Sequence, residues 1–546
     1  MPCVGSNVVL IIALSGSVAS GKTSLATALS ERWDGRVVST RDALRRRAAA
    51  RGTHLNDRAA MQTFGDQLDI ETRGEWVTEV AAETTGDSAR LLIIDAVRIQ
   101  DQVSALRARY GRQVIHVHLV TTDREELARR YRSRGKVVGE ITEFDSYDAV
   151  RDNPTEAAID QLADHADVVL DTLRNTPADL LVRCEARLGL LPSPTQALVD
   201  VLVGGQFGSE GKGNIAYYLA PEYDTLVRVG GPNAGHKVMH AGQSYTHRSL
   251  PSGALANPQA DLVIGPGAVL NWEVLSRELD ETGVDPARMK IDPQVMMITP
   301  EDIAAEVELR AAIRSTGEGV GAAAARRIRD RSLTQTTLAR DAAELKPFLS
   351  PTADLLNAVY ERGQRVLVEG TQGTGLSLFH GQYPWVTSRD TTVAGTLAEA
   401  GIGPRRVRRA IMVVRTYPIR VQGGSGPIGH GKELTWEEVQ KRSGVSDAQA
   451  TELSSVTRQE RRVGEFDWSL LRRSAELNSA TDIALTFADY VNVRNRTAYR
   501  YEQLTDETLQ FVEEVESVTG ASASLITTAF SERNIIDRRT WRAARR

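Results

Sequence analysis

Twice in this chain, an apolar run of strand length passes directly into a glycine-rich loop and then into a helix-forming segment. The first run is Val8 to Leu14 and the second is Ala197 to Gly204. Such a loop after a buried strand is typical of nucleotide-binding folds with parallel sheets. A chain of 546 residues is also too long for one hydrophobic core. We therefore expect an α/β protein with two phosphate-loop-containing domains, each built around a largely parallel central sheet.

The clearest break between the two openings is a short segment that contains Pro192 and Pro194. Proline removes a backbone donor and holds the chain extended, so it does not continue the helical stretch before it. We place a linker at residues 191–196. This predicts one domain over residues 1–190 and a second over residues 197–546.

Composition limits the classes of partner. The chain has 66 Lys and Arg against 71 Asp and Glu, a formal net charge of -5, so no global cationic field favours nucleic acid or an anionic membrane. Two cysteines, Cys3 and Cys184, cannot form a disulfide framework and fit a reducing compartment. No apolar run is long enough to span a membrane. We expect a soluble, cytoplasmic protein that binds small molecules.

The first glycine-rich loop, Gly16 to Thr23, fits the phosphate-loop pattern completely. Its glycines, Gly16 and Gly21 among them, let backbone N–H groups face phosphate, and Lys22 neutralises phosphate oxygens. The Thr23 hydroxyl is a Mg²⁺ ligand in this pattern, and Asp95, at the end of a second apolar strand, suits a carboxylate that holds Mg²⁺ through water. The alternative, a loop that only turns a strand into a helix, does not explain the lysine or the aspartate.

Several charged residues bear on what this domain acts upon. Its size suits a small-molecule kinase, and Arg41, Asp42 and Arg98 follow strand ends, where an acceptor's phosphate could be met. A later arginine cluster resembles the lid of nucleoside monophosphate kinases, although a solvated helix face is an equal alternative. The domain resembles the adenylate kinase and dephospho-coenzyme A kinase group, which implies an ATP-dependent nucleoside or nucleotide kinase. The arginine cluster is Arg124, Arg129, Arg130, Arg132 and Arg134.

From about Ala197 the chain carries a series of motifs in the order of one family. They are 204–213 (GGQFGSEGKG), 230–236 (GGPNAGH), 250–253 (LPSG), 264–267 (IGPG), 315–321 (STGEGVG), 369–374 (EGTQGT), 383–388 (YPWVTS), 457–462 (TRQERR) and 484–489 (ALTFAD). This half resembles the adenylosuccinate synthetase family over roughly 340 residues.

The resemblance implies a two-step ligation. A nucleoside triphosphate phosphorylates O6 of a 6-oxopurine monophosphate, and the amine of L-aspartate then displaces phosphate at C6. It also implies Mg²⁺, a homodimer and a set of site residues. By motif, the catalytic residues are Ser209, Lys212 and His236. The residues that bind the purine monophosphate or aspartate are Asn233, Thr316, Gln372, Thr387, Thr457, Arg458 and Arg461. The residues that bind the triphosphate are Gly208, Glu210, Gly211, Gly213, Phe487 and Asp489, and Mg²⁺ is bound by Ser209 and by the carbonyl of Gly235.

One departure from the family decides the interpretation. Where the family has the aspartate that serves as base and Mg²⁺ ligand, this chain has Ser209, and a serine hydroxyl is far weaker as a base. A similar substitution marks the synthetases of phages whose DNA carries 2-aminoadenine, which act on dGMP. We favour that interpretation, with (d)GMP as substrate. The alternatives are that Glu210 or water supplies the base and IMP is retained with GTP, or that the ligase half is silent and only binds nucleotide.

Other departures concern aspartate and the donor base. A family arginine falls on Gln459, although Arg458 or Arg461 could meet the same carboxylate. Phe487 stands where the family has a lysine, which weakens the case for GTP, and its ring could stack on adenine. The base-recognition strand keeps the family's aspartate as Asp489, which suits guanine. ATP or dATP is therefore the expected donor, with GTP as the alternative, and the cross-subunit arginine of the dimer is Arg329 or Arg331.

Overall fold

The structure is a computed structural model. It describes residues 10–84, 91–133, 137–138, 141–173, 175–191, 196–331, 337–430, 432–445, 452, 460–531 and 534–540. The chain divides into two compact units, Met1–Leu191 and Pro192–Arg546, called here the N-terminal and C-terminal units. Linker residues 192–195 and Cys3 lie outside the described residues, and Cys184 is buried.

The N-terminal unit is built on a parallel sheet with strand order β2-β3-β1-β4-β7. Ile12 and Leu14 pack on one face and Ile11 and Ala13 on the other, because successive side chains of a strand alternate and both faces are covered by helices. A two-residue hairpin, β5 with β6, lies apart from this sheet. The strands are β1 (Leu10–Gly16), β2 (Arg36–Ser39), β3 (Leu91–Asp95), β4 (Val114–Val120), β5 (Val137–Val138), β6 (Ile141–Thr142) and β7 (Val168–Asp171).

Helices connect these strands and cover the sheet. The phosphate loop after β1 leads into α1, which Gly21 caps in the left-handed conformation with φ +99°. The helices are α1 (Lys22–Trp33), α2 (Thr40–Ala50), α3 (Arg58–Thr72), α4 (Trp76–Thr84), α5 (Gln100–Tyr110), α6 (Arg124–Arg132), α7 (Tyr147–Arg151), α8 (Pro154–Ala158) and α9 (Pro177–Leu188).

The C-terminal unit has a nine-stranded sheet with order β14-β12-β9-β16-β8-β17-β21-β22-β23, in which only β23 runs antiparallel to its neighbour. The strands are β8 (Val199–Gly204), β9 (Thr225–Arg228), β10 (His236–His240), β11 (Gln243–His247), β12 (Asp261–Ile264), β13 (Val269–Leu270), β14 (Met289–Ile291), β15 (Met296–Met297), β16 (Val366–Glu369), β17 (Val407–Arg415), β18 (Ile419–Val421), β19 (Glu433–Leu434), β20 (Arg461–Gly464), β21 (Asp482–Thr486), β22 (Ser522–Thr527) and β23 (Ile535–Asp537).

Two apolar clusters fill the two faces of this sheet, one around Val201 and Val203 and one around Leu202. The helices are α10 (Lys212–Leu219), α11 (Trp272–Thr282), α12 (Pro300–Ala305), α13 (Val307–Ile313), α14 (Val320–Arg329), α15 (Thr352–Glu361), α16 (Val393–Ala400), α17 (Trp436–Ser443), α18 (Trp468–Asn478) and α19 (Asp506–Thr519). The predicted fold class, two α/β parts around largely parallel sheets, is confirmed. Among the described residues, no helix is both long and apolar enough to cross a bilayer.

Parallel strands bring their carboxyl ends to one edge of the sheet. In the C-terminal unit, β8, β16 and β17 are neighbours, with Leu202 paired to Glu369 and Gly204 to Val413. The second glycine-rich loop, the Glu369 motif and Arg415 therefore meet at one edge, which is where ligands bind in open α/β sheets.

Candidate active sites

The second glycine-rich loop leaves β8 and ends where Gly211 caps α10. Gly208, Ser209 and Gly211 all have left-handed backbones, with φ of +84°, +56° and +87°, so the loop curls back on itself. Gly213 lies against β10, since a Cβ there would come within 2.9 Å of the Cβ of His236. The loop glycines thus allow the helix and the His236 strand to approach closely.

Lys212 and Glu210 form a buried ion pair inside this loop. The Lys212 ammonium donates to Glu210 Oε2 at 2.6 Å. The other carboxylate oxygen, Oε1, accepts from the backbone N–H groups of Gln206 and Gly208 at 3.1 and 2.8 Å. Glu210 is fully buried, and both its oxygens are occupied. Glu210 therefore stabilises the loop and the position of the Lys212 side chain.

His236 begins β10 and is held from the rear by Glu369, the last residue of β16. The Nδ1 atom of His236 makes a short hydrogen bond to Glu369 Oε1, and Glu369 also accepts from the Ser252 N–H at 2.8 Å and lies 3.5 Å from the Arg228 guanidinium. Burial, assisted by the nearby positive charge of Arg228, lowers the pKa of His236 to about 4. Burial alone would raise the pKa of Glu369, but Arg228 and His236 outweigh it and hold that pKa at about 2. A carboxylate thus orients a neutral imidazole, whose Nε2 lone pair is left for a ligand.

These groups border a pocket of about 200 Å³. It brings together ten of the residues predicted from sequence: Gly208, Ser209, Lys212, Asn233, Gly235, His236, Thr316, Gln372, Thr387 and Arg461. The described residues that line it include no carboxylate, while Lys212, Arg314, Arg420 and Arg461 supply positive charge. A cavity of this character suits anionic ligands such as phosphates and carboxylates.

Ser209 stands exposed at this pocket. Its backbone carbonyl accepts from Arg415 at 3.2 Å. Its left-handed backbone is one that aspartate and asparagine also adopt readily. The backbone at this position would therefore also accept an aspartate.

The arginine-rich loop is only partly described. Thr457 and Arg458, predicted to bind aspartate, lie outside the described residues. Arg461 begins β20 and lines the pocket, and burial lowers its pKa to about 10. Of the alternatives for the aspartate carboxylate, Arg461 is the one that the described residues place at the pocket.

Phe487 and Asp489, predicted to bind the nucleobase of the triphosphate donor, lie beside the loop and are not among the residues that line this pocket. The ring of Phe487 packs under the Arg415 guanidinium at 4.2 Å and stacks with Tyr490 at 5.6 Å. A Cβ on Gly211 would lie 3.7 Å from the Phe487 ring. Asp489 is buried; its Oδ2 accepts from Arg496 at 3.1 Å, while its Oδ1 has no hydrogen-bond partner within the described part of the chain.

Comparison with known proteins decides the family. The adenylosuccinate synthetase family model matches residues 201–343 and 328–518. The adenylosuccinate synthetase of Pyrococcus sp. (strain ST700) is 38% identical over 348 residues, which cover 62% of this chain and 98% of that protein. The Methanocaldococcus jannaschii synthetase is 37% identical over 348 residues, 62% of this chain and 96% of the relative. The chain belongs to the adenylosuccinate synthetase family.

Solved structures show that this adenylosuccinate synthetase family member shares the family's fold. One is a cyanophage S-2L succinoaminodeoxyadenylate synthetase (PurZ) bound to dGMP and dATP, with a TM-score of 0.54 and 24% identity over 63% of this chain and 96% of that one. A second is a fully ligated adenylosuccinate synthetase from Plasmodium falciparum, with a TM-score of 0.53 and 20% identity over 63% of this chain and 100% of that one.

The N-terminal unit of this family member carries a separate match, to an AAA domain model over residues 12–151. Its Thr23 hydroxyl donates to Asp95 Oδ2 at 2.8 Å, which joins the two predicted Mg²⁺ ligands. Lys22 donates to the carbonyls of Gly16 and Ser17 at 2.7 and 2.8 Å, and burial lowers its pKa to about 8. These groups, with Gly16 and Gly21, line a cavity of about 990 Å³.

Three of the predicted lid arginines pair with neighbouring acids. Arg129 and Arg130 both pair with Glu126 at 2.7 Å, and Arg124 pairs with Asp148 at 2.6 Å. Arg129 and Arg130 line the cavity. Arg134 lies outside the described residues.

Sequence analysis missed several residues that the fold brings to the synthetase pocket. Glu369 was quoted only as part of a motif, yet an acid directly after the buried run Val366 to Val368 is a detectable signal. Ser252, which also holds Glu369, belongs to the motif 250–253 but was given no role, and Arg228 had no such signal. The pocket is also lined by Arg314, Arg420 and Ser425, and by Ser315 and Trp385, which belong to the motifs 315–321 and 383–388.

Proposed function

We propose that the C-terminal unit joins L-aspartate to C6 of a guanine nucleoside monophosphate, (d)GMP, and that ATP or dATP drives the reaction. The observation that carries this proposal is Ser209, an exposed serine at a pocket whose described lining contains no carboxylate. A carboxylate at that position would crowd the 2-amino group of guanine, whereas a serine leaves room. The S-2L protein similar in fold is one whose structure contains dGMP and dATP, in keeping with this choice.

Two buried acceptors at the pocket also favour a ligand rich in N–H groups. Asn233 Oδ1 and Gln372 Oε1 are buried and lack a hydrogen-bond partner within the described parts of the chain. A buried acceptor without a partner is costly, so a ligand that donates there gains binding free energy. Guanine presents its N1–H and its 2-amino group, whereas hypoxanthine lacks the amino group.

Because Ser209 stands where the family resemblance predicts a basic aspartate, another group must take the proton from N1 of the purine. Glu210 does not suit the role, because both its oxygens are already bound to Lys212 and to the loop amides. We assign the role to His236, which lines the pocket and whose Nδ1 is bound to Glu369, so that Nε2 is the nitrogen left to act as base. The carboxylate of Glu369 then stabilises the imidazolium that forms, which is the arrangement expected of an oriented general base.

The chemistry follows in two balanced steps. His236 takes the proton from N1, O6 attacks the γ-phosphorus, and the bond from that phosphorus to the β,γ-bridging oxygen breaks, which releases ADP. Lys212 and the loop N–H groups stabilise the charge in transfer. The aspartate amine then attacks C6, the C6–O6 bond breaks, phosphate leaves with the electron pair, and the substituted amine loses a proton to solvent. Arg461 holds the aspartate carboxylate during this step.

Mg²⁺ would lower the charge of the triphosphate. The Ser209 hydroxyl and the Gly235 carbonyl, from two residues that line the pocket, would hold it. Such neutral oxygens fit an ion that keeps several waters and rests mainly on phosphate oxygens.

Asp489 supports ATP as donor. Its Oδ2 already accepts from Arg496, and Oδ1 is the oxygen without a partner among the described residues. The exocyclic amine of adenine offers one donor group there, whereas guanine requires both oxygens for its N1–H and 2-amino group. Phe487 already packs on Arg415 and Tyr490, so its part in holding adenine would be limited to the ring edge near Gly211.

We also propose that the N-terminal unit is an ATP-dependent phosphotransferase, in which Thr23 and Asp95 would hold Mg²⁺ and Lys22 would meet the phosphates. Its support is the AAA domain match together with the Thr23–Asp95 pairing. By family resemblance we propose a homodimer, which light scattering on the full chain would test.

The test of the ligase proposal is a product-mass assay with full-length protein, aspartate and Mg²⁺ against IMP, dIMP, GMP and dGMP, each with ATP and with GTP. We expect succinyl product from GMP or dGMP with ATP. Product from IMP with GTP alone would refute the substrate assignment, and no product from any pair would indicate a silent half.

Two variants of Ser209 sharpen this test. Ser209→Asp should lower activity on dGMP by at least tenfold and raise activity on IMP. The control is Ser209→Asn, which matches aspartate in size and backbone preference but carries no charge. It should lose dGMP activity without any gain on IMP; a gain by both variants would mean that the carboxylate is irrelevant.

A further inference from the structure

The cavity of the N-terminal unit has a second part that the phosphate loop does not occupy. The loop, α6 and the segment before α9 form one side, with Lys22, Arg129 and Arg130. The other side is lined by α2, α3, α4 and the residues after β3, which belong with β2 and β3 on one side of β1 in the sheet. A volume of about 990 Å³ is large for one small ligand and suits a donor and an acceptor together.

Two of the guanidinium groups on this acceptor side, those of Arg58 and Arg98, are already paired with buried carboxylates. Arg58 binds Glu143 at 2.8 Å and lies 3.6 Å from Glu156. Arg98 makes a short ion pair with Glu156. Both glutamates are buried, with 8% and 3% of their surface exposed. An acceptor phosphate would have to displace these buried carboxylates and would be repelled by them.

Further acids make this side net negative. Asp69 is buried and accepts from Trp76 Nε1 at 2.6 Å and from the Gln102 amide. Asp66 accepts from Asn153 and Thr155, both at 2.8 Å. Hydrogen bonds from neutral groups do not cancel the charge of a carboxylate. Among the described residues of the acceptor side, the cations are Arg41, Arg58 and Arg98, and the acids are Asp42, Asp66, Asp69 and Glu156.

We propose that the N-terminal unit phosphorylates the 5′-hydroxyl of an uncharged purine nucleoside, and that Asp42 receives the hydroxyl proton. The proposal rests on the phosphotransferase function proposed above, and it replaces the expectation that Arg41 and Arg98 meet an acceptor phosphate. Asp42 is an exposed carboxylate in the first turn of α2 and lines the same cavity. An accessible carboxylate near the acceptor is what a hydroxyl nucleophile requires.

The transfer is balanced without any further reactant than ATP. The 5′-oxygen forms a bond to the γ-phosphorus, the bond from that phosphorus to the β,γ-bridging oxygen breaks, and ADP leaves with the electron pair. The hydroxyl proton passes to Asp42 and then to solvent. The product is a nucleoside 5′-monophosphate, which is the class of substrate that the C-terminal unit consumes. The unit would therefore supply the ligase rather than use its product.

The test measures transfer of label from γ-labelled ATP by the full-length protein. Guanosine, deoxyguanosine, inosine and adenosine form one arm, the corresponding monophosphates a second, and glycerol and glucose a third. Labelled nucleoside monophosphate is expected from the first arm only. Label in the second arm alone, in the third alone, or in none of the three would overturn the proposal. Because the ligase is assayed separately with supplied monophosphate, failure of one activity does not obscure the other.

Variants separate the role of Asp42 from folding. Asp42→Asn should lower kcat for nucleoside phosphorylation by about 10²-fold or more, with the KM for ATP unchanged. Glu31→Gln removes another exposed carboxylate of this unit, on α1 and outside the cavity lining, and should leave kcat unchanged. Equal effects of the two variants, or no effect of Asp42→Asn in a folded protein, would refute the assignment.

A third variant tests the charge argument. Glu156→Gln leaves the guanidinium groups of Arg58 and Arg98 less compensated, so a monophosphate should compete with nucleoside about tenfold better. If monophosphate binding is unchanged while the variant retains the wild-type Tm, the buried glutamate does not exclude anionic acceptors and the proposal fails.

Discussion

The substitution Glu369→Gln tests most directly how the C-terminal unit compensates for its missing aspartate. Glu369 holds His236 at Nδ1, and its negative charge opposes the burial and the Arg228 charge that together lower the pKa of this imidazole to about 4. A glutamine keeps the shape but removes the charge, and its amide group can also favour the wrong imidazole tautomer. The expected result is a base that is weaker and less well oriented.

The size of the effect follows from the role assigned to His236. General acid–base catalysis contributes 10²–10⁴-fold, so losing most of it should lower kcat by roughly 10²–10³-fold, which corresponds to about 3–4 kcal/mol in the activation free energy. The KM values for dGMP and ATP should stay within about twofold, because Glu369 is not expected to touch either ligand. Product formation with dGMP, ATP and aspartate measures this split between kcat and KM.

A matched control separates this role from loss of stability. Glu369→Gln also leaves Arg228 without its buried carboxylate, which by itself is destabilising. Asp482→Asn removes another buried acid, at the opposite end of the parallel strands, where it pairs with Arg409. We expect Asp482→Asn to lower Tm with kcat unchanged. If a folded Glu369→Gln protein keeps kcat within threefold, or if Asp482→Asn loses as much, the oriented-base mechanism is wrong.

Three further predictions concern acid stability, aspartate binding and the N-terminal unit. Burial lowers the pKa of His247 from 6.5 to about 4. Between these pH values the unfolded state binds more protons than the folded state, so stability falls as the pH drops through that window. The Tm of His247→Leu should therefore fall less between pH 7.5 and 5.0 than the Tm of the wild type, and an equal fall would contradict this. Arg461→Ala should raise the KM for aspartate by at least tenfold in steady-state assays and leave that for ATP unchanged; an unchanged aspartate KM would remove Arg461 from that subsite. Asp95→Asn should lower phosphotransfer from ATP by about 10²-fold while ligase activity persists, and a parallel loss of both activities would argue against separate sites.

Much of the fold was readable from local pattern. The apolar runs before Gly16 and Gly204 are buried strands, and Gly21, Gly208 and Gly211 in the loops after them take left-handed conformations. These signals are local, because a strand buried on both faces must be apolar throughout and a tight loop must have residues that tolerate positive φ. The match of motif order to one family then followed from the sequence alone.

The roles of charged residues were not readable in the same way. Glu210 stood as a candidate base by its place in the loop, but the fold turns its carboxylate into the interior, against Lys212 and two N–H groups. Phe487, considered as a platform for adenine, already packs on Arg415 and Tyr490. Which face a side chain takes in an irregular loop depends on neighbours that are distant in sequence.

The sequence by itself determined the two α/β parts, the two phosphate loops and the presence of Ser209 in place of an acid. Only the tertiary structure decided what surrounds that serine. The strand order places Glu369 against His236, although the two residues are more than 130 positions apart in the chain, and places Arg228 against Glu369. The strength of a base depends on burial and on the charges a few ångströms away. Those distances are set by which strands are neighbours in the sheet, and local sequence carries no record of them.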